Sequence, residues 1–173
     1  AQRGDVMRRL RMLGMTAALA LVAALAGAQP LAKKLDSIDV WIKSERFVLE
    51  VARDPQTQFR GLGGRTHIDA NGGMIFPFRA PNITAFVMRD CPIPIDIAFL
   101  DADGRVITIY EMQAEPPRKP DESPMAYEAR LKRYPSGLPA SYAIETAGGR
   151  LRAVGLRPGD TIDLRQLGAG PRM

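Results

Sequence analysis

A mainly β domain, either a compact antiparallel β-sandwich or a partly closed barrel with two short helices, is what three features of this chain predict. The stretch Gly73 to Gly104, GMIFPFRAPNITAFVMRDCPIPIDIAFLDADG, holds three short apolar runs separated by Pro- and Asp-containing turns. Each run is too short for an ordinary helix and is bounded by breakers, so three successive strands are expected. Similar strands recur on both sides of it with no regular βαβ alternation, which argues against a doubly wound sheet. With 173 residues the chain supports one core.

The first residues stand apart from that core. Arg8, Arg9 and Arg11 form a basic start, Met15 to Leu25 is apolar, and Ala26-Gly27-Ala28 is a small-x-small cleavage pattern. These are the regions of a secretory signal peptide in order, so residues 1–28 are expected to be removed and the rest to be periplasmic or secreted. The alternative is a retained inner-membrane anchor, because the uncharged stretch 12–28 is about 17 residues, at the lower limit for spanning a bilayer. Membrane contact is expected only through that segment, if it is uncleaved. The leader contains Arg3, Arg8, Arg9, Arg11 and Asp5, so removing it lowers the net charge from +5 to +2. A near-balanced domain offers no clustered basic face for nucleic acid.

Residues 29–36 read as a lead-in and 37–165 as the β-rich domain. Ile38 to Lys43 and Phe47 to Ala52 alternate around a polar turn, as a hairpin does. Trp41 falls on the opposite parity from Ile38, Val40 and Ile42 and is read as covering a second face. Asp54-Pro55 starts a helix running to about Leu62, with a carboxylate at the N-cap and proline at the first helical position. Gly63-Gly64 stops it; no Lys-Ser/Thr pair follows, so the glycines are not a phosphate loop. His67 is the only histidine and Cys91 the only cysteine. They are too few for a soft zinc site, and no disulfide or cofactor is implied.

The central strands are Met74 to Phe78, Ile83 to Met88 and Ile95 to Leu100. Asp101-Ala102-Asp103-Gly104 begins like a calcium loop, but Val106 and Met112 occupy its glycine and glutamate positions, leaving a hairpin turn before a strand Arg105 to Met112. Gln113 to Ser123 is an exposed loop, and Ser123-Pro124 starts a second helix carrying Tyr127 and Leu131. A turn at Tyr134 to Gly137, a strand Ser141 to Thr146, a helical turn Leu151 to Val154 and a last strand Thr161 to Leu164 follow, with 166–173 as a flexible tail.

The unusual loop is Arg89-Asp90-Cys91-Pro92-Ile93-Pro94, stiffened by two prolines and flanked by the carboxylates Asp90 and Asp96. Taken together, Arg60-Gly61-Leu62, Gly73-Met74-Ile75-Phe76, Phe86 to Asp90, Ile93 to Phe99, Asp101 to Gly104, Tyr134, Ser136, Pro139-Ala140, Glu145, Gly155 and Gly159-Asp160 resemble the bacterial and archaeal domain of unknown function 192 family over about residues 37 to 164. The resemblance implies a compact mainly-β domain, often exported or tethered, without an established biochemical activity. It also has departures. The family usually has tryptophan before its methionine and Lys-Asn-Thr-Leu after it; here Val87 and Arg89-Asp90-Cys91-Pro92 stand there, with an insertion from about Arg118 to Arg133. Both departures weaken any transfer of ligand preference. Met88, Pro94 and Asp96 are shared and mark a candidate pocket.

Three functions compete on these residues. The first is an envelope binding module for a small molecule or envelope component, its pocket formed by Phe86, Met88, Pro94 and Tyr110 and oriented by Arg89, Asp90 and Asp96. For Phe86 and Met88 the alternative is simple core, and for Asp96 the capping of backbone N–H groups. The second is a hydrolase using Asp90 and Asp96 as acid and base; a Ser/His/Asp set is missing. In the third, Cys91 is a reactive thiol, with Arg89 lowering its pKa and Asp90 opposing that.

Overall fold

The computed structural model describes residues 35–167. The expected leader at 1–28, most of the lead-in and the tail beyond Leu167 lie outside the described residues. Alternation in the first apolar stretch gives the expected hairpin of β1 (Ser37–Ile42) and β2 (Glu45–Val51), with Val40 opposite Phe47 and Ile38 opposite Leu49. Trp41 is 57% exposed, so it covers no second face. It sits opposite Arg46, on the outer side of the hairpin.

Both helices begin where the capping residues place them. Asp54 accepts the Thr57 N–H at 2.9 Å ahead of α1 (Pro55–Arg60), and Ser123 accepts the Ala126 N–H at 3.1 Å ahead of α2 (Pro124–Arg130). α1 ends two residues before the expected Leu62 and α2 just before Leu131, leaving both leucines as buried residues beyond the helices. A third helix, α3 (Arg150–Ala153), follows Gly149.

The remaining strands are β3 (Gly72–Asn82), β4 (Ala85–Phe86), β5 (Ile95–Leu100), β6 (Val106–Met112), β7 (Tyr134–Pro135) and β8 (Ala140–Ala147). Six form one sheet in the order β1-β2-β3-β8-β5-β6, and β4 pairs with β7 in a small second sheet. The mainly β class holds, with two refinements. The sheet is mixed, because β2 and β3 run parallel, joined by a crossover through α1. No closed barrel forms among the described residues; β1 and β6 are the edges.

Two expected strands shrink. Ile83 to Met88 contributes only Ala85–Phe86 as strand, because its one partner is the two-residue β7, which includes the Tyr134-Pro135 expected as a turn. Thr161 to Leu164 makes a single bridge, Thr161 to Arg105. It continues into a 3-10 turn, Arg165–Leu167, whose Leu167 packs into the core.

The large sheet is covered on both faces. One face carries Ile75, Ala98, Leu100 and Ile144 together with the inward residues of the β1–β2 hairpin, and is covered by Leu151 of α3 and the chain from Leu156 to Leu167. The other packs Met74, Phe76, Ile95, Ile97, Phe99 and Ala143 against Leu62, Met88, Cys91 and Tyr134. Every residue of β5 is therefore buried. A strand at the centre of a two-sided core reads as a continuous apolar run, as Ile95 to Leu100 does apart from Asp96.

Candidate functional site

The side chains expected to form one pocket are parted by the sheet. Phe86, Met88 and Tyr110 gather on one face. The Phe86 ring meets Phe76 and Phe99 edge-on at 5.0 and 5.6 Å between centroids, and Tyr110 meets Phe99 and Tyr134 at 6.5 and 5.5 Å. Such edge-to-face chains add to the burial of the rings. Met88 is fully buried beneath them. Tyr110 turns its hydroxyl outward, donating to the Pro135 carbonyl at 2.8 Å.

Arg89 and Asp90 are fastened to α2. The Arg89 guanidinium engages Glu128 through both Nε and Nη2, the second contact at 2.7 Å, and lies 4.1 Å above the Phe59 ring. The pairing holds Glu128 below its ordinary pKa. Asp90 has a φ of +53°, a conformation unusual for a residue with a side chain. It is held by the Tyr127 hydroxyl, which accepts the Asp90 N–H at 2.9 Å and donates to its carboxylate at 3.2 Å. Between them and β5, Pro94 is exposed and its carbonyl accepts the Gly148 N–H at 3.0 Å.

Cys91 is buried and donates to the Arg89 carbonyl at 3.3 Å. Burial, with Glu145 and Asp90 nearby, pushes its thiol up to about 12. Almost no thiolate is present at neutral pH.

Asp96 projects from the opposite face of β5, since Ile95, Ile97 and Phe99 share the face of Met88. It is 2% exposed, and its two oxygens accept the N–H groups of Gly149 and Leu151, both at 2.8 Å. Asp96 therefore fastens the chain entering α3 to the sheet. Burial raises its pKa, against those two N–H groups, which favour the charged form. Asp90 and Asp96 thus address different elements, one α2 and the other α3.

Asp96 also lines a cleft of about 320 Å³. Ile109, Leu156 and Pro158 supply apolar wall, and Glu111, Arg152 and Arg157 supply charge. Arg152 pairs with Glu111 at 3.0 Å. Among the described residues, no cluster of three or more His, Cys, Asp or Glu side chains is arranged to hold a metal ion. Nor is any helix there long and apolar enough to cross a membrane.

Glu145 counts among the residues of the family resemblance but not among the candidate site residues. It stands on β8 between its cross-strand neighbours Met74 and Ile97, on the face that carries Met88 and Cys91. It is 5% exposed and its Oε2 has no hydrogen-bond partner. Burial pushes its carboxyl up to about 7, against the Leu62 N–H and the charge of Arg65. A glutamate inside the apolar run Ser141 to Thr146 was the available signal.

Residues 38–164 match the DUF192 family, described as Uncharacterized ACR. The chain is similar in structure to a proposed transcription regulator from Sinorhizobium meliloti 1021, with 25% identity over 73% of this chain and 91% of that one and a TM-score of 0.59. It is likewise similar to a protein of unknown function from Novosphingobium aromaticivorans DSM 12444, with 30% identity over 78% of this chain and 89% of the other and a TM-score of 0.61. No curated protein matches it.

Proposed function

The chain belongs to the DUF192 family, and from that premise we propose that it is a small-ligand binding module of the cell envelope whose site is the cleft beside Asp96. The observation that carries this reading is the composition of the cleft, an apolar wall of Ile109, Leu156 and Pro158 with two guanidinium groups, Arg152 and Arg157. Apolar walls with a few fixed polar groups are what small-ligand sites require. The ligand class is an anionic small molecule with an apolar body, such as a carboxylate-bearing fragment of an envelope polymer. Arg152 already has Glu111, which leaves Arg157 to meet the ligand's charge and Asp96 to hold the cleft wall in shape through α3.

The envelope assignment rests on the leader pattern in residues 1–28, a basic start, an apolar run and a small-residue site. The regulator designation belongs to the Sinorhizobium protein, and the near-neutral balance of this chain beyond its leader gives no basic face on which to extend it.

The test is a thermal-shift screen of the chain against sugar acids, short peptides and cell-wall fragments. A ligand at a hundredfold excess over its dissociation constant stabilises the folded state by about 2.7 kcal/mol. The expected hit loses its shift in Arg157→Ala while that variant melts where the unliganded parent does. Hits that survive both Arg157→Ala and Ile109→Glu would place binding elsewhere and end this reading.

A further inference from the structure

Beside β6 the chain begins a further strand and then abandons it. The Val106 N–H donates to the Asp160 carbonyl and the Val106 carbonyl accepts the Gly159 N–H, both at 2.8 Å. Thr161 bridges Arg105 in antiparallel sense, and the Ile162 N–H reaches the Gly104 carbonyl at 2.9 Å. Residues 159–162 thus lie along the outer edge of the sheet, next to the start of β6. The residue before them is Pro158, which has no N–H to give. From Gly155 to Pro158 the chain is off the edge and forms one wall of the Asp96 cleft.

β6 continues without it. From Ile107 onward β6 pairs with β5 on one side, and among the described residues no strand or backbone hydrogen bond follows on the other. Open edges are ordinarily blunted by charge, proline or a covering segment, because their free N–H and C=O groups pair with any extended chain. Between Ile107 and Met112 the only charged residue is Glu111, and Arg152 answers it at 3.0 Å. β1, at the other edge of the sheet, is instead met by the 3-10 turn Arg165–Leu167. The open edge also borders the cleft. Ile109 stands opposite Ala98 and Glu111 opposite Asp96, so both point to the side of the sheet where the cleft lies.

We propose that the cleft takes a short extended peptide with a free C-terminal carboxylate, which adds a strand to the open edge of β6 in line with residues 159–162. This builds on the cleft as a ligand site and specifies the ligand. Laid antiparallel to β6, as residues 159–162 are, the peptide turns the side chain beside Ile109 into the cleft, where Ile109 and Leu156 offer apolar wall. Its C-terminus then ends at Pro158, next to Arg157. Asp160, the acid nearest Arg157 in sequence, is held by Lys43 at 2.7 Å, which leaves the exposed Arg157 guanidinium to the peptide carboxylate. Main-chain hydrogen bonds along the edge supply affinity, and the cleft under one side chain supplies selection for an apolar residue.

The probe is a pool of N-acetylated pentapeptides, free at the C-terminus, with Ala, Val, Leu or Phe at the last three positions, added to the isotope-labelled full chain. Members that bind should slow hydrogen exchange at alternate amides between Ile107 and Met112 by about tenfold, and leave the β1 amides unchanged. Amidating the peptide C-terminus, or Arg157→Ala in the chain, should weaken binding about tenfold. N-methylation should abolish binding at a peptide residue whose N–H faces β6 and be tolerated at its neighbour, an alternation that an added strand produces. Peptides that bind equally well when amidated, or without regard to which nitrogen is methylated, overturn the added strand. If no member binds at about 1 mM while a sugar acid binds in dependence on Arg157, the peptide proposal falls and the cleft remains a ligand site. If neither binds, both fall.

Discussion

The carboxylate of Asp96 on β5 accepts the backbone N–H of Leu151, 55 residues further along, at 2.8 Å, and the same side chain takes the Gly149 N–H with its other oxygen. One buried side chain thereby ties α3, and the cleft wall that follows it, to the most enclosed strand of the sheet.

Asp96→Asn keeps one acceptor and presents an amide N–H₂ to a backbone donor. Each lost bond to a charged acceptor is worth about 1.5–3 kcal/mol, so a destabilisation of roughly 2 kcal/mol is expected. Asp96→Ala, which strands both N–H groups, should lose more. Urea unfolding measures both, and a loss below roughly 0.5 kcal/mol for Asp96→Ala would remove the fastening role.

Glu145 should make the protein less stable as the pH rises. Its folded-state pKa of about 7 lies above the ordinary 4.5, so between those values the native state holds a proton that the unfolded chain has released. Stability falls through that window and levels off above it. At 1.36 kcal/mol per unit the loss reaches at most roughly 3 kcal/mol. Comparing parent and Glu145→Gln by denaturant unfolding at pH 4.5 and 7.5 checks it: the parent alone should show the drop.

Cys91 should be inert. With the thiol pushed up to about 12 and buried, alkylation by iodoacetamide at pH 8 is expected to run at under roughly 1% of the rate for a free cysteine, and to recover it in denaturant. Rapid labelling of the native protein would restore the reactive-thiol reading.

The clasp between α2 and the loop after β4 should be modest in energy. Glu128 is partly exposed, at 39% of its side chain. A double-mutant cycle of Arg89→Ala and Glu128→Ala is therefore expected to give a coupling of about 0.5–1 kcal/mol that shrinks in high salt. Tyr127→Phe removes both contacts to Asp90, a residue held at positive φ, and should cost about 1 kcal/mol more.

What the sequence reveals and what it hides divides along the same lines as the forces involved. Local chemistry is legible: Asp54-Pro55 and Ser123-Pro124 start helices, and Asp101 accepts the N–H groups of Asp103 and Arg105 in the turn expected from its composition. Partnership between distant strands is not. Nothing in Ala85 or Phe86 announces that their only strand partner is two residues long, and nothing in β2 or β3 announces that they run parallel. The same limit explains the site residues. Alternate residues of β5 face opposite ways, but that Asp96 meets α3 while Met88 meets the other face requires the sheet order. Glu145 looked like one polar residue in a strand because its enclosure is set by residues such as Ile97, Met74 and Leu62, which are 48, 71 and 83 positions away.

The strand order also has a consequence for how the chain assembles. β8, which lies between β3 and β5, is the last of the eight strands to be made, and the pairing of Gly73 with Thr146 closes a loop of more than 70 residues. Until residues 140–147 emerge, the two halves of the sheet each present an open edge where β8 will lie, a template for wrong partners. Folding of this domain is therefore a late, concerted event dominated by non-local closure, slow by comparison with a helical protein of equal size. A chain lacking its last 35 residues would retain the β1–β2 hairpin and the β5–β6 hairpin with no strand to join them.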